Sequence, residues 1–144
     1  MNSKTEEKQL INRITVEVPF YDIDAVQIVW HGNYLKYLES GREAFGKEFG
    51  LEYMGVYRHG YITPIADLKI RYLKTATMGE RLVVETRYVL SKAAKLIFDY
   101  TIYKESDHSV VLEATTIQLF MTAAGEFEIS APDFYRSWQQ SHGF

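Results

Sequence analysis

Apolar and polar positions follow a helical period in one part of the chain. From residue 34 to residue 49 the apolar side chains recur every three or four positions, which predicts an amphipathic helix. Asn33 is a residue type that begins helices, and Gly50 is one that ends them. Gly41 lies on the apolar arc of this helix. It is either a packing notch or a point where another backbone or a ligand comes close.

Elsewhere the period changes to two, which is typical of strands with one buried face. The predicted strands cover residues 14–18, 61–74, 81–90, 95–104 and 109–123. Residues 51–60 are predicted to be a connector. Residues 130–133 resemble a capping box and predict a short C-terminal helix that ends near Gln140. One long helix followed by antiparallel strands predicts an α+β fold in which a sheet covers the helix.

Composition narrows the class of protein. The 144 residues are the size of one domain, so residues 1–144 are predicted to form a single domain. Cysteine is absent, which excludes disulfides, thiol catalysis and cysteine zinc sites. The net charge of −3 gives no basic field for nucleic acid, and no apolar run approaches the roughly 20 residues of a membrane helix. The charged N-terminus has no signal-peptide core. We therefore expect a cytoplasmic protein without a membrane span.

Several kinds of catalytic site are excluded by their missing motifs. The four histidines, His31, His59, His108 and His142, do not have the spacing of metal ligands. The sequence contains no G-x-S-x-G motif and no glycine-rich phosphate loop. We expect no metal and no nucleotide cofactor.

The segment 21–42 combines features that favour chemistry. A loop with two acids, Asp22 and Asp24, leads through a short apolar run into the start of the predicted helix. The first turn of a helix has free N–H donors and a partial positive charge. An acid-bearing loop that ends at such a turn is a candidate active site.

This segment, YDIDAVQIVWHGNYLKYLESGR, resembles the 4-hydroxybenzoyl-CoA thioesterase family, including the YbgC-like acyl-CoA thioesterases. The later run 72–76 (YLKTA) and Gly79-Glu80 are similar to the family as well. The resemblance implies a hot-dog fold, in which an antiparallel sheet of about five strands wraps one long helix. It also implies pairing with a second subunit, in a homodimer or homotetramer.

The resemblance further implies hydrolysis of an acyl-CoA. It places Asp24 at the catalytic carboxylate, as nucleophile or as general base on water, and the backbone N–H of His31 at the carbonyl oxygen. An ordinary aspartate has a pKa of about 3.9, so it is a weak base at neutral pH, which favours direct attack. Asp22 is interpreted as loop structure. The His31 side chain either orients the substrate or is simply a polar residue at a helix start.

The expected substrate-binding residues are Tyr21, Trp30, Asn33, Tyr34, Glu39, Arg71, Lys74 and Lys92. Glu39 either lines the pocket of a partner subunit or forms an ion pair with Arg42. The simplest role of Asn33 is that of an N-cap. Arg71, Lys74, Lys92 and the neighbouring Lys95 are candidates for the CoA phosphates, and the alternative is that they are solvated strand edges and turns. The aromatic residues fill either an acyl pocket or the core.

The chain departs from the family pattern at Gln27, where the family has glycine. A glutamine adopts a positive φ less easily than glycine, so the shape of the loop and the substrate preference are open. Two other functions remain as alternatives. One is a thioesterase acting on acyl carrier protein, and the other is a hot-dog protein that binds acyl-CoA without hydrolysing it. A hot-dog dehydratase is least favoured.

Overall fold

The computed structural model describes residues 9–144. Its order is one strand, one long helix, a short helix, six further strands and a C-terminal helix. The bounds are β1 Ile11–Glu17, α1 Tyr34–Phe49, α2 Tyr53–Arg58, β2 Tyr61–Ile62, β3 Ile65–Tyr72, β4 Arg81–Val89, β5 Lys95–Lys104, β6 Val110–Leu119, β7 Met121–Thr122 and α3 Asp133–Ser141.

The main sheet has five antiparallel strands in the order β1-β4-β5-β6-β3, and β2 and β7 form a separate two-stranded ribbon. The helix α1 packs on one face of the sheet, mainly against β1 and β4. The predicted α+β architecture, with one long helix, about five antiparallel strands and a short C-terminal helix, is confirmed. No helix of the described residues is long and apolar enough to cross a membrane.

The period-two pattern explains which side of the sheet carries the core. On β4 the side chains of Leu82, Val84, Thr86 and Tyr88 are buried, and the residues that alternate with them are partly exposed. A side chain at Gly41 would place its Cβ 2.6 Å from Thr86 Oγ1 and 2.8 Å from Val84 Cγ1. The glycine therefore lets α1 approach the sheet closely, which decides in favour of the packing notch.

Several predicted bounds were wrong, and local chemistry explains them. The run 61–74 is interrupted before Ile65 by Pro64, which cannot donate to a sheet ladder. The predicted connector contains α2, in which only Val56 is buried, so its sequence carries little amphipathic signal. The capping box is absent. The N-cap of α3 is Pro132, and Ser130 instead forms an isolated bridge with Ala93.

Helix α3 closes the C-terminal end of α1. The Trp138 ring lies 5.0 Å from the Tyr88 ring, and its Nε1–H donates to the carbonyl of Phe49 at 2.7 Å. The amide of Gln139 donates to the Tyr88 hydroxyl at 3.0 Å and to the carbonyl of Ser91 at 2.8 Å. The polar atoms of this aromatic layer are thus paired within it, as buried polar groups require.

Candidate active site

Asp24 begins a tight hairpin turn. Its N–H donates to the carbonyl of Ile28 at 2.8 Å, and its carbonyl accepts the N–H of Gln27 at 2.9 Å. Gln27 has a φ of +67°, so it adopts the left-handed conformation that suits glycine. The hydroxyl of Thr77 fixes the Gln27 carbonyl at 2.8 Å. The turn therefore keeps a glycine-like shape even with glutamine, at a backbone cost of roughly 1–2 kcal/mol.

The Asp24 carboxylate is oriented by its own turn. One oxygen, Oδ1, accepts the N–H of Val26 at 2.9 Å and that of Ile28 at 3.4 Å. The side chain is partly exposed and forms no ion pair with another described residue. The second oxygen accepts no hydrogen bond from residues 9–144.

Asp22, two residues earlier, has a different environment. Its buried carboxylate accepts Lys36 Nζ at 2.5 Å and the Tyr37 hydroxyl at 2.7 Å. Burial by itself raises the pKa of this carboxyl group, but the hydrogen bonds from Lys36 and Tyr37 and the charge of Lys36 together hold the pKa below its ordinary value of 3.8. This acid ties the loop to α1.

The start of α1 leaves two donors free. A 3-10 turn, His31–Asn33, leads into the helix. The N–H of Trp30 donates to the carbonyl of Asp22 at 3.0 Å, and that of Asn33 donates to the carbonyl of Trp30 at 2.8 Å. The intervening N–H groups of His31 and Gly32 have no acceptor among residues 9–144. Free N–H groups at a helix start attract a developing negative charge.

Glycine at position 32 leaves room for the Trp30 side chain. An added Cβ would lie 2.2 Å from Cζ3 of the Trp30 indole, which covers this residue. Asn33 does not use its side chain as an N-cap, contrary to the prediction. Its Nδ2 donates to the carbonyl of Asp22 at 2.8 Å, because the chain is already helical at this residue, with a φ of −70° and a ψ of −21°.

An apolar cavity of about 270 Å³ adjoins these donors. The residues that line it are Ile28, Val29, His31, Tyr34, Tyr72, Leu73, Lys74 and Thr75. The Tyr72 hydroxyl donates to the carbonyl of His31 at 3.0 Å. Burial is the main cause that raises the pKa of Tyr34 to about 12, so this residue remains a neutral wall of the cavity.

The structure brings many of the sequence-predicted residues together. His31, Tyr34 and Lys74 line the cavity. Asp24 is not one of the lining residues, but its Oδ1 accepts the N–H of Ile28, which is one. Trp30 covers Gly32, and Asn33 bonds the loop. Tyr21 lies next to Asp22 with its ring exposed, 5.9 Å from Lys36 Nζ.

The other predicted residues lie elsewhere on this chain. Arg71 projects from the opposite face of the sheet, where it lines a second cavity with Arg87 and Asp99. Lys92 lies in the turn between β4 and β5, with Lys95 at the start of β5. That turn is at the α3 end of the sheet, since its neighbour Ala93 bridges Ser130.

Glu39 and Arg42 do not form the ion pair considered above. Glu39 is exposed and accepts the Tyr53 hydroxyl at 3.4 Å. The Arg42 guanidinium is buried between the rings of Tyr53 and Phe98, at 4.8 and 4.7 Å, and burial lowers its pKa. Its Nη1–H donates to the carbonyl of Leu51 at 3.1 Å. Arg42 is therefore part of the packed core beneath α1.

Sequence reasoning missed the contribution of Tyr72 to the site. The only available signal was its place at the end of an apolar strand, on the same side as Lys74 two residues later. Nothing in the sequence indicates that its hydroxyl reaches the start of a helix about 40 positions earlier.

Comparisons with known proteins identify the family of this chain. A family model described as "Thioesterase-like superfamily" matches residues 18–139. The Bacillus subtilis protein named "Putative acyl-CoA thioesterase YneP" is 27% identical over 135 residues, which cover 91% of this chain and 97% of that protein. The chloroplastic acyl-acyl carrier protein thioesterase ATL3 of Arabidopsis thaliana is 27% identical, over 76% of this chain and 58% of ATL3.

Solved structures show the same fold. The 4-hydroxybenzoyl-CoA thioesterase of Pseudomonas sp. strain CBS-3 superposes with a TM-score of 0.77 at 23% identity, and the match covers 89% of this chain and 98% of that one. At this identity the likeness establishes the hot-dog fold.

Proposed function

Because this chain belongs to the thioesterase-like superfamily and has its hot-dog fold, we propose that it hydrolyses the thioester bond of an acyl-CoA. One observation carries the proposal. The Asp24 carboxylate forms no ion pair with a described residue and accepts the N–H of Ile28, which lines an apolar cavity. The chain from Ile28 leads to the N–H groups of His31 and Gly32, which have no acceptor among residues 9–144. A thioester needs these three elements, namely an attacking oxygen, donors for the carbonyl oxygen and a place for the acyl chain.

In the proposed reaction the carbonyl oxygen accepts the N–H of His31. One such preorganised donor contributes about 3–4 kcal/mol in the transition state. Asp24 then acts by one of two routes. As a nucleophile, its oxygen bonds to the carbonyl carbon and the C–S bond breaks, and water hydrolyses the resulting anhydride. As a general base, it takes a proton from the water that attacks. Both routes give a carboxylic acid and free CoA thiol. The weak basicity of an aspartate favours the first route.

Lys74 is the predicted phosphate ligand that this chain places at the cavity. A lysine contributes a point charge to a phosphate without fixing its orientation. Arg71, Lys92 and Glu39 lie away from this cavity, so their proposed contacts with the substrate require a second subunit.

We also propose that the protein is a homodimer paired through β3. This eight-residue strand is an edge of the sheet, and its apolar residues Ile65 and Leu68 are 49 and 40% exposed. A long exposed edge with apolar side chains favours pairing with another strand. Sedimentation equilibrium of the wild type should give twice the mass of 16.7 kDa.

A panel of acyl-CoA substrates with a thiol-release readout tests the function. We expect Asp24→Asn to lower kcat at least about a hundredfold with an unchanged melting temperature, because the variant keeps the turn but loses the anionic oxygen. Asp133→Asn is the matched control, since Asp133 is an exposed acid of α3. Full activity of purified Asp24→Asn would refute the catalytic assignment.

Acyl carrier protein thioesters belong in the same panel. The similarity to ATL3 favours this second substrate class, although the match covers only 58% of that protein. Faster thiol release from acyl carrier protein thioesters than from acyl-CoA would show that acyl carrier protein thioesters are the preferred substrates. Saturable binding of acyl-CoA without thiol release would instead show a binding protein.

A further inference from the structure

Tyr72 links the edge strand of the sheet to the first turn of α1. Its hydroxyl donates to the carbonyl of His31 at 3.0 Å. Its ring centroid lies 6.2 Å from that of His31 at an interplanar angle of 84°, and 5.9 Å from that of Tyr34. Tyr72 is also part of the cavity wall. The side chain therefore contacts both the main chain of the donor turn and the space where an acyl group would lie.

The hydrogen bond of Tyr72 has a specific geometric consequence. The carbonyl of His31 and the N–H of Gly32 belong to one planar peptide group, so a partner on the carbonyl also fixes the direction of that N–H. The preceding peptide, which contains the N–H of His31, is fixed in the same way by the bond from the Asn33 N–H to the Trp30 carbonyl at 2.8 Å. A hydrogen bond to the carbonyl oxygen also polarises the N–H of the same peptide group, here that of Gly32.

Stability does not account for the placement of this hydroxyl. Tyr72 is 48% exposed at the end of an edge strand, so water could satisfy its hydroxyl equally well. An exposed hydrogen bond between a side chain and a carbonyl adds little to folding. The hydrogen bond would matter most if the His31–Gly32 peptide takes part in the proposed reaction.

We propose that Tyr72 is a positioning residue for thioester hydrolysis. Its hydroxyl holds the His31–Gly32 peptide so that the N–H of Gly32 serves as a second donor to the carbonyl oxygen, beside the N–H of His31. The inference rests on the proposed function and adds two residues to its machinery. Glycine at position 32 fits this role, because it lets Trp30 cover the turn without a side chain in between.

The first test is Tyr72→Phe, which keeps the ring and removes only the hydroxyl. We expect kcat to fall about tenfold with KM and melting temperature unchanged, a fraction of the 10²–10³ that loss of a whole donor costs. Tyr57→Phe is the matched control, because Tyr57 is a 61% exposed tyrosine of α2. Wild-type kcat in Tyr72→Phe would overturn the inference.

A second measurement separates positioning from simple contact. The S-alkyl thioether of CoA with the chain of the preferred substrate has no carbonyl oxygen and cannot use the donors. We expect wild type and Tyr72→Phe to bind it with equal Kd. Affinity that weakens in step with kcat would show that the hydroxyl only contacts the acyl group, and this would overturn the inference.

The second donor is tested at Gly32 itself. Gly32→Ala and Gly32→Pro both place a Cβ against the Trp30 indole, but only proline removes the N–H. We expect the proline variant to have a kcat at least tenfold below that of the alanine variant, and equal values would exclude the donor. A wild type that hydrolyses no thioester would refute the proposed function and the inference together. An active wild type matched by Tyr72→Phe would refute only the inference.

Discussion

At its C-terminal end α1 is enclosed by aromatic rings, whereas at its N-terminal end it begins in a half-open loop. Phe45 is fully buried, 4.9 Å from the ring of Phe98 and 4.7 Å from that of Phe49, and α3 covers this end. At the other end Tyr21 and Trp30 are 71 and 50% exposed, and two N–H groups lack acceptors among the described residues. Both ends bury apolar side chains, but only the N-terminal end also has N–H groups without acceptors among the described residues.

Under the proposed function, this difference separates stability and chemistry along one helix. Substitutions at the enclosed end should lower the free energy of unfolding, and those of Asp24, Gly32 and Tyr72 at the open end should change turnover. The two acids of the loop show the same separation over two residues. Asp22 is buried and paired, and Asp24 is partly exposed and without an ion pair.

The largest expected change in stability is that of Phe45→Ala. Removing a fully buried ring should lower the free energy of unfolding by about 3–5 kcal/mol, because the cavity cannot collapse among packed aromatic neighbours. Urea denaturation measures it. Phe127→Ala, at a 55% exposed position, is the control and should stay within about 0.5 kcal/mol of wild type. A similar loss in both variants would contradict the separation.

A smaller loss of about 2 kcal/mol is expected for Asp22→Asn, since hydrogen bonds to a charged group are weakened. The folded-state pKa of Asp22 is below the ordinary 3.8. Its contribution to stability is therefore complete above the unfolded pKa and is lost as the pH falls through the folded pKa. Urea titrations of both proteins at several pH values measure this.

The difference between wild type and Asp22→Asn should be constant near neutral pH and should shrink only below about pH 4. Lys36→Met provides the matched comparison, because it removes the other partner of the ion pair. A difference that disappears already between pH 7 and pH 5 would show that Asp22 is not the group responsible.

The smallest expected effect is a gain. Gln27→Gly should raise the free energy of unfolding by up to about 1 kcal/mol, because glycine adopts a φ of +67° without a steric cost and part of this gain is lost to the greater freedom of the unfolded chain. Thermal unfolding checks this, with Gln27→Ala as the control that should show no gain. A less stable glycine variant would mean that the glutamine side chain stabilises the loop.

The sequence predicted the elements that depend on local patterns. The helical period, with glycine at position 50, defined α1, which ends with Gly50 at a φ of +76°. Local spacing could not show which of the two loop acids is buried, because Lys36 and Tyr37 reach Asp22 only after the loop folds onto the helix. Arg71 and Lys74 are three positions apart, and side chains alternate between the two faces of a strand. The sequence alone therefore already argued against both residues facing the same phosphate site.

The exposed edge of β3 affects which other chains can associate with this protein in a concentrated solution. Asp67, Lys69 and Arg71 alternate along this strand on the face away from α1. An unrelated extended chain that docks there must place its own side chains opposite two positive charges and one negative charge. A second copy paired antiparallel about Leu68 would instead set each Asp67 opposite a Lys69. In the proposed dimer the same row of charges would discourage aggregation and select one register for self-association.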